Sequence, residues 1–438
     1  MFTFPWIFKH QRSQCSSAQQ AAVALALVWL AFSASAQSTN SPLNPPASPL
    51  QSQPPSLRQA VDAAWQLSAS SRAESNRRIE LGAKEKAASS WMSGEPVASI
   101  AHRTDRLNRN DGFRDYEAEV ELPIWNPGVR SAAQADVAAQ RQGFDGQSAL
   151  NKLKLAGELR ALSASAATAQ VELDLNKRKL LDATVLAQDL NRRVKAGENA
   201  RVDGLQAQVL VQQAQAAIAN AESQLMRLQN QWRSLTGLVT VAPLEESLSG
   251  LASNTLTSAP ISPDHPAQRH AQAQLASARA KLALAGADKR DAMSVGIGVG
   301  RERSSFASAN ETKLRIALRI PLGGDNRNAP RIAAASADLD AAQAEADAVQ
   351  RQLPAEVAAA TADLRAARLA QFAAQERVRL STEVQALITK SWRLGDSDLP
   401  ARLRADNEQF EASLSLARSA IDVQRAIANL NQAYGVLP

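Results

Sequence analysis

The chain has 438 residues, of which 45% are hydrophobic but only 4% are aromatic. So few aromatic residues argue against a compact globular enzyme, whose core uses large rings to fill volume. The apolar fraction comes from Ala, Leu and Val, and with Gln, Glu, Lys and Arg this composition is typical of long helices. The 49 basic and 43 acidic residues are too evenly balanced to indicate nucleic acid binding.

The first 36 residues have the pattern of a secretory signal peptide rather than of a retained N-terminal anchor. Lys9 and Arg12 precede a short apolar run over 21–32, and a small-residue cleavage site follows at 34–36. The run is too short to span a bilayer permanently. The only cysteine, Cys15, lies before this run, so we expect a mature chain without disulfides.

Residues 37–55 are rich in Pro, Ser and Gln and predict an extended arm. No later segment is an apolar run long enough for a transmembrane helix. Any membrane-spanning part of the mature chain is therefore predicted to consist of strands.

A first unit, residues 56–238, predicts a helix, a hairpin, a very long helix and a return helix. Apolar spacing, turn signals, proline and glycine set the boundaries. The predicted elements are a helix over 56–92 capped by Ser56, a hairpin over 97–122 ended by Pro123, a helix over 129–196 ended by Gly197, and a return helix over 202–235 ended by Gly237. The 129–196 helix contains no proline and would be roughly 100 Å long.

The same order recurs in a second unit, residues 266–438, after a loop-like connector over 239–265. Proline at 321 and glycines at 395 and 435 each lie 198 residues after a counterpart in the first unit, which indicates an internal duplication. The predicted elements are a helix over 266–291, a hairpin over 293–320, a long helix over 330–394 with a possible kink at Pro354, and a return helix over 400–433.

The two hairpins supply four strands, which is too few to close a membrane barrel. Three chains would give twelve strands. The charged faces, predicted to line a wet lumen where opposite charges pair, consist of Glu117, Glu119, Glu121, Arg315 and Arg319. The alternative is a pair of half-exposed hairpins on a soluble sheet. Recurrent small residues, as in 132–139 and 333–348, predict close helix packing, either as the wall of a tunnel or as a solvent-exposed rod.

The order of hairpin, proline, long helix, glycine break and return helix resembles the TolC-like outer membrane efflux channels over nearly all of 56–437. The matching segments are Glu121–Trp125, Arg319–Leu322, Lys195–Asp203 and Arg393–Leu399. The resemblance implies a mainly α fold with two repeats. A periplasmic coiled-coil tunnel would be combined with four strands per chain, which complete a 12-stranded β-barrel in a homotrimer in the outer membrane.

The resemblance also implies function and partners. The chain would be the passive exit duct of a tripartite efflux system, without enzyme activity or a cofactor. It would work with a periplasmic adaptor and an inner-membrane pump of the resistance-nodulation-division type. The adaptor would dock at the helix breaks, on Ala196, Gly197, Leu394 and Gly395. The residues predicted for the periplasmic entrance gate are Arg201, Asp203, Arg402 and Arg404.

The gate departs from the acidic ring expected of the family, because Ala401 stands where the second repeat would match Asp203. Residues 324–331 resemble the subset associated with heavy-metal export. No metal-ligand spacing occurs in the mature sequence, and a duct need not bind its cargo. No phosphate-binding loop, H-E-x-x-H or G-x-S-x-G motif is present, which argues against an enzyme. A periplasmic coiled-coil scaffold or an adaptor remains the second hypothesis.

Overall fold

The computed structural model describes residues 54–248, 261–323 and 325–438, which form seven helices and four strands. The predicted signal peptide, residues 37–53 of the predicted arm and residues 249–260 of the predicted connector lie outside the described residues. In chain order the elements are α1 (Leu57–Leu67), α2 (Ala69–Ser89), β1 (Val97–Thr104), β2 (Arg114–Ile124), α3 (Val129–Ala196), α4 (Arg201–Thr236), α5 (Pro266–Ala287), β3 (Met293–Arg303), β4 (Glu311–Arg319), α6 (Asp325–Leu394) and α7 (Leu399–Ala433).

The N-terminal helical region is divided in two, so the prediction of one helix over 56–92 is wrong. Ser56 caps α1 as expected, in a reciprocal capping box with Gln59. Ser68 then adopts an extended conformation, with ψ at 147°, and its hydroxyl accepts a hydrogen bond from Ser71 N at 3.1 Å to start α2. A serine side chain competes for backbone groups in this way, and a new N-cap replaces the continuous helix.

The long helices agree with the sequence pattern. Helix α3 covers the predicted 129–196, and α4 differs from the predicted 202–235 by one residue at each end. Helix α6 begins at residue 325, five residues before the predicted start, so Pro330 lies inside it. Pro354 also lies inside α6 and does not end it. Helix α7 begins at Leu399 with Pro400 in its first turn, where proline loses no hydrogen bond.

The four strands form one antiparallel sheet in the order β1-β2-β3-β4. The prediction that Pro123 ends its strand is wrong, because Pro123 pairs with Ser294 and β2 continues to Ile124. The carbonyl of Pro123 accepts a hydrogen bond from Ser93 N at 3.1 Å, on the β1 side. The nitrogen of a strand residue faces the same side as its carbonyl, and β1 has already ended there, at the Val97–Glu121 pair. The missing N–H of proline therefore interrupts no ladder.

The helices pack in antiparallel pairs, α3 with α4 and α6 with α7, while α5 contacts both α3 and α6. The buried apolar residues are mostly Ala and Leu. Helices approach closely where small residues meet: a Cβ added to Gly146 in α3 would lie 3.0 Å from His270 Cα in α5. The predicted close packing through small residues is therefore present.

A buried ion pair joins the middle of α3 to the connector and the C-terminus. The side chain of Arg160 is 2% exposed and donates from Nε to Glu246 Oε1 at 2.7 Å. Its other nitrogens donate to Gln432 Oε1 at 2.6 Å and to the carbonyl of Val436 at 3.0 Å. Asn431 also donates to Glu246. The charge and most donors of Arg160 are thus satisfied, which a buried guanidinium requires.

Candidate functional site

One face of the sheet holds the predicted lumen residues, and the structure brings their charges together. Arg315 Nη2 lies 3.1 Å from Glu117 Oε1, and Arg319 Nη1 lies 2.9 Å from Glu121 Oε1. A longer contact of 4.0 Å joins Arg315 to Glu119. Both close pairs join residues 198 positions apart, so equivalent positions of the two repeats have opposite charges. The predicted charge pairing is confirmed; that this face lines a lumen stays a prediction.

These ion pairs pass over a row of glycines. Strand β3 lies between β2 and β4, and Gly296, Gly298 and Gly300 are its residues on the charged face. A Cβ on Gly296 would collide with Glu119 Oε1, and one on Gly298 would lie 3.1 Å from the carbonyl of Ala118. The absence of side chains on β3 therefore leaves the space through which arginines of β4 reach carboxylates of β2.

The opposite face of the sheet is apolar and uncovered. Ile100 is 88% exposed and Ile316 73% exposed. The register places on this face, from β2 to β4, Ala118, Val120, Leu122, Val295, Ile297, Val299, Leu314, Ile316 and Leu318. At the hairpin end of this apolar face the rings of His102 and Tyr116 stack with centroids 4.3 Å apart. A contiguous exposed apolar surface of this kind indicates contact with lipid or with another protein.

The two predicted helix breaks have the same backbone structure. Gly197 and Gly395 have φ of 80° and 85°, in the left-handed region that favours glycine. Gly197 N donates to Val194 O at 3.1 Å and the next N–H donates to Arg193 O at 2.9 Å. The corresponding bonds at the second break are 3.2 Å and 3.0 Å. Both are Schellman motifs, which satisfy the last carbonyls of α3 and α6.

The predicted docking residues at these breaks are exposed. Ala196, Gly197 and Gly395 are all in the exposed class, and Leu394 is 69% exposed. A Cβ added to either glycine would meet no heavy atom within 4 Å in the part of the chain that the structure describes. The breaks therefore present free backbone and one apolar side chain.

The four predicted gate residues have three different environments. Arg201 and Arg404 are exposed, and Arg404 Nε donates to the carbonyl of Pro400 at 3.3 Å. Asp203 lies in the first turn of α4 and accepts a hydrogen bond from the Asn199 side chain at 3.1 Å. Within the described residues no ion pair joins Asp203 to Arg402 or Arg404, so a single chain does not bring the predicted gate charges together.

Arg402, the remaining gate residue, is packed inside the chain. Its guanidinium carbon lies 4.1 Å from the ring centroid of Trp392, and its Nε lies 3.6 Å from Asp406 Oδ2. Burial lowers the pKa of Arg402, although Asp406 acts in the opposite direction. Arg193 also stacks on Trp392, at 4.6 Å. Sequence reasoning missed Trp392; its signal was a tryptophan three residues before the glycine of a helix break.

A groove of 730 Å³ between α3, α6 and α7 lies near the helix breaks and was not predicted. Asp182 and Asp406 both line it. Partial burial, followed by the negative charge of Asp406, raises the pKa of Asp182. Other charged residues lining the groove are Arg178, Lys179, Lys390, Arg393 and Arg402.

Across residues 54–248, 261–323 and 325–438, no cluster of His, Cys, Asp or Glu has the composition of a metal site. Over the same ranges, no helix combines the length and apolarity needed to cross a membrane.

The sequence matches no family model and no curated protein. Solved structures do match. The outer membrane protein VceC of Vibrio cholerae is 15% identical, with a TM-score of 0.69 over 87% of this chain and 96% of that chain. The CmeC outer membrane channel of Campylobacter jejuni is 13% identical, with a TM-score of 0.70 over 86% and 85%. The open MtrE outer membrane channel of Neisseria gonorrhoeae is 19% identical, with a TM-score of 0.66 over 87% and 89%.

The chain has the fold of these outer membrane channels. This similarity confirms the expected mainly α fold with a four-stranded sheet. The 12-stranded barrel and the homotrimer stay predictions. At these identities the similarity concerns the fold.

Proposed function

We propose that the chain is the outer membrane exit channel of a tripartite efflux system and conducts solutes passively. The observation that supports this most directly is the two-faced sheet. One face is apolar and exposed, and the other has paired charges over a glycine row. A lipid-facing and a water-facing surface on alternate residues is the pattern of a transmembrane β-barrel. The shared fold with outer membrane channels supports the same proposal.

The proposed assembly is a homotrimer with a shared barrel. Strands β1 and β4 are the outer strands of the sheet, so each has one edge without a strand partner in the described chain. Unpaired edge groups facing lipid cost several kcal/mol each, and four strands cannot close on themselves. Three copies would pair β4 of one chain with β1 of the next and give twelve strands, within the usual range.

The proposed orientation follows from where the helices leave the sheet. The hairpin loops 105–113 and 304–310 lie at one end, and the chain enters the helices from the other. With the helices in the periplasm, the hairpin loops face the exterior and the breaks at Gly197 and Gly395 face the inner membrane. Their exposed backbone and Leu394 suit docking of an adaptor's helical hairpins, and the adaptor would link the channel to an inner-membrane pump.

We further propose that residues beside the breaks hold the periplasmic entrance closed. A three-fold axis would bring three copies of Arg201, Asp203 and Arg404 near one another. An exposed ion pair contributes only roughly 0.2–1 kcal/mol, but three would act on one opening equilibrium. Arg402 contributes differently, because it packs on Trp392 and sets the position of the first turn of α7.

Two measurements test the proposal. The full chain, extracted from outer membranes in detergent, is expected to have the mass of a trimer by light scattering. A stable monomer, or a protein that is soluble without detergent, would favour the periplasmic scaffold. In planar bilayers the trimer should conduct, and Asp203→Ala or Arg404→Ala should raise the conductance at low salt. The increase should shrink at high salt, because the pairs are screened.

Two substrate classes fit the proposed duct, heavy-metal cations and organic compounds. The segment 324–331, which suggested heavy-metal export, includes residue 324, outside the described residues. The proposed duct needs no metal ligands of its own. Resistance assays in cells that lack the channel, with metal salts and organic toxicants compared side by side, would separate the two substrate classes.

A further inference from the structure

The apolar face of the sheet ends in three arginines beside the hairpin loops. Arg114 and Arg303 are direct cross-strand partners on β2 and β3, and Arg301 pairs with Tyr116. Strand alternation places all three on the same side as the exposed apolar residues. We name Arg114, Arg301 and Arg303 the rim arginines.

Among the residues that the structure describes, the rim arginines form a like-charge cluster without a counter-ion. Like charges directly opposite each other destabilise a sheet. The strand carboxylates of this region, Asp115, Glu302 and Glu311, alternate onto the charged face. The adjoining hairpin loop carries Asp105 and Asp111. In the described part of the chain, no ion pair joins a rim arginine to a carboxylate, whereas Arg315 and Arg319 on the other face are both paired. An external anion would relieve the repulsion.

One rim arginine is held in place by the protein. Arg303 Nε donates to the carbonyl of Gly112 at 3.2 Å, and its guanidinium lies 5.5 Å from the Phe306 ring centroid. The two hairpin loops are joined at the same point, because Phe306 N donates to Asp111 O at 3.0 Å. The cluster therefore rests on a fixed framework rather than on free loops.

The position of the cluster indicates the type of anion. The stacked pair His102 and Tyr116 lies in the same row of the sheet as Arg301 and one row below Arg114 and Arg303. Below that row lie exposed apolar side chains such as Ile100. An apolar band, then an aromatic layer, then cations is the order of the environments across a membrane surface, from acyl chains to headgroups. Guanidinium groups bind phosphate through two parallel hydrogen bonds.

We propose that the rim arginines bind the phosphate groups of a lipid of the outer leaflet, that is, the phosphorylated lipid A portion of lipopolysaccharide. This inference rests on the proposed function, because it requires the apolar face to lie in the outer membrane. It adds a lipid site with named residues: Arg114 and Arg301 supply free guanidinium groups, and Arg303 supplies a positioned one.

A double variant tests the inference, with a control of equal charge. Arg114→Gln with Arg301→Gln removes two guanidinium groups that have no hydrogen bond or ion pair within the described residues, so the fold should persist. Arg106→Gln with Arg109→Gln removes two exposed arginines from the adjacent hairpin loop. The purified full chain is titrated in detergent with diphosphoryl lipid A, and bound lipid is measured by native mass spectrometry. The first variant should bind about tenfold more weakly or worse, and the control should bind like the wild type.

Three results of this titration would overturn the inference: equal lipid binding by the first variant, equal weakening in both double variants, or displacement of the lipid by equimolar inorganic phosphate. Lipid A without phosphate groups should bind more weakly than the diphosphoryl form, and equal binding of the two would contradict the role of phosphate. The oligomeric mass and conductance of the same samples separate the two proposals. A wild-type protein that does not conduct contradicts the channel, whereas unchanged lipid binding by a conducting double variant contradicts only the lipid site.

Discussion

The two helix breaks have the same backbone conformation but differ in the side chains that pack beside it. Gly197 and Gly395 have nearly the same φ and the same pair of closing hydrogen bonds. In the second repeat Arg402 packs on Trp392. The positions 198 residues earlier are Val194 and Gly204, and a Cβ added to Gly204 would lie 3.6 Å from Val194 Cγ2.

This difference shows that backbone geometry constrains a duplicated unit more tightly than the choice of packing side chains does. The left-handed glycine and its Schellman bonds are fixed by backbone geometry, so both copies keep them. The helix-to-helix contact beside the break requires only that the space is filled, and one repeat uses two large side chains where the other uses two small ones. The start of the return helix also differs: Asp398 caps α7 with a hydrogen bond from Ala401 N at 2.9 Å, whereas no side chain caps α4.

The largest expected effect on stability comes from a position where the two repeats differ strongly in burial and charge. Arg160 is buried and paired, whereas the matching residue, Ala358, is exposed. Arg160→Ala should lower the free energy of unfolding by about 3–5 kcal/mol, because Glu246 would be left as a buried, unpaired charge. Urea denaturation followed by circular dichroism measures the loss. Arg425→Ala, which removes an exposed i,i+3 pair, is the control and should cost less than about 1 kcal/mol.

A second test asks whether the two breaks are energetically as well as geometrically equivalent. Gly197→Ala and Gly395→Ala should each destabilise the helix end by about 1–2 kcal/mol, because alanine is strained at positive φ. Hydrogen exchange of the amides of residues 197–198 and 395–396 reports the local cost. Gly286 lies inside α5, where an added Cβ would meet no other heavy atom of the described chain within 4 Å, so Gly286→Ala should instead stabilise by up to about 1 kcal/mol. Clearly unequal costs at the two breaks would mean that their side-chain surroundings outweigh the shared backbone.

A third test addresses the side chains that differ. Arg402→Gln should destabilise the tip by about 0.5–2 kcal/mol, since it removes a partly buried cation from the Trp392 ring. Arg404→Gln, two residues away and exposed, should change stability by less than about 0.5 kcal/mol. Thermal melting of both variants, followed by Trp392 fluorescence in a chain whose other tryptophans are replaced by Phe, compares them. Equal effects would remove the distinction between a packing arginine and a surface arginine.

The smallest expected effect is on the pH dependence of stability. Asp182 matches Leu380 in the second repeat, and its pKa is raised above the ordinary 3.8. The folded state therefore holds this proton more tightly than the unfolded state, and ionisation costs stability as pH rises through the raised pKa. Asp182→Asn should stabilise the protein at pH 7 by a few tenths of a kcal/mol, since the group is largely exposed and screened. The gain should disappear below pH 3.8, and a gain that persists there would point to another cause.

Much of the fold could be predicted because it depends on local signals. The boundaries of α3 follow from the glycine at 128, the absence of proline and the glycine at 197, and residue alternation located the second hairpin. The break at Ser68 was missed because serine is compatible with either a helix interior or a cap, and the choice depends on packing. Arg160 and its partners were missed because residues 86 to 276 positions apart leave no pattern in a local window.

The pairing of charges across the sheet was predictable, but the way the side chains reach each other was not. The alternation of charged and apolar residues along each strand showed that Glu121 and Arg319 belong to charged faces. Only the strand order shows that a third strand lies between them and that its glycines leave the path open.

The Arg160 cluster also bears on when the chain can fold. Arg160 takes its partners from residues 246, 432 and 436, so its hydrogen bonds cannot all form until the last residues of the chain are available. Contacts this distant in sequence slow folding, because a long loop must close first. For a protein threaded unfolded through a secretion pore, N-terminal end first, this delay is useful. In such a chain the hydrogen bonds of Arg160 to residues 432 and 436 would form only after the C-terminus had arrived.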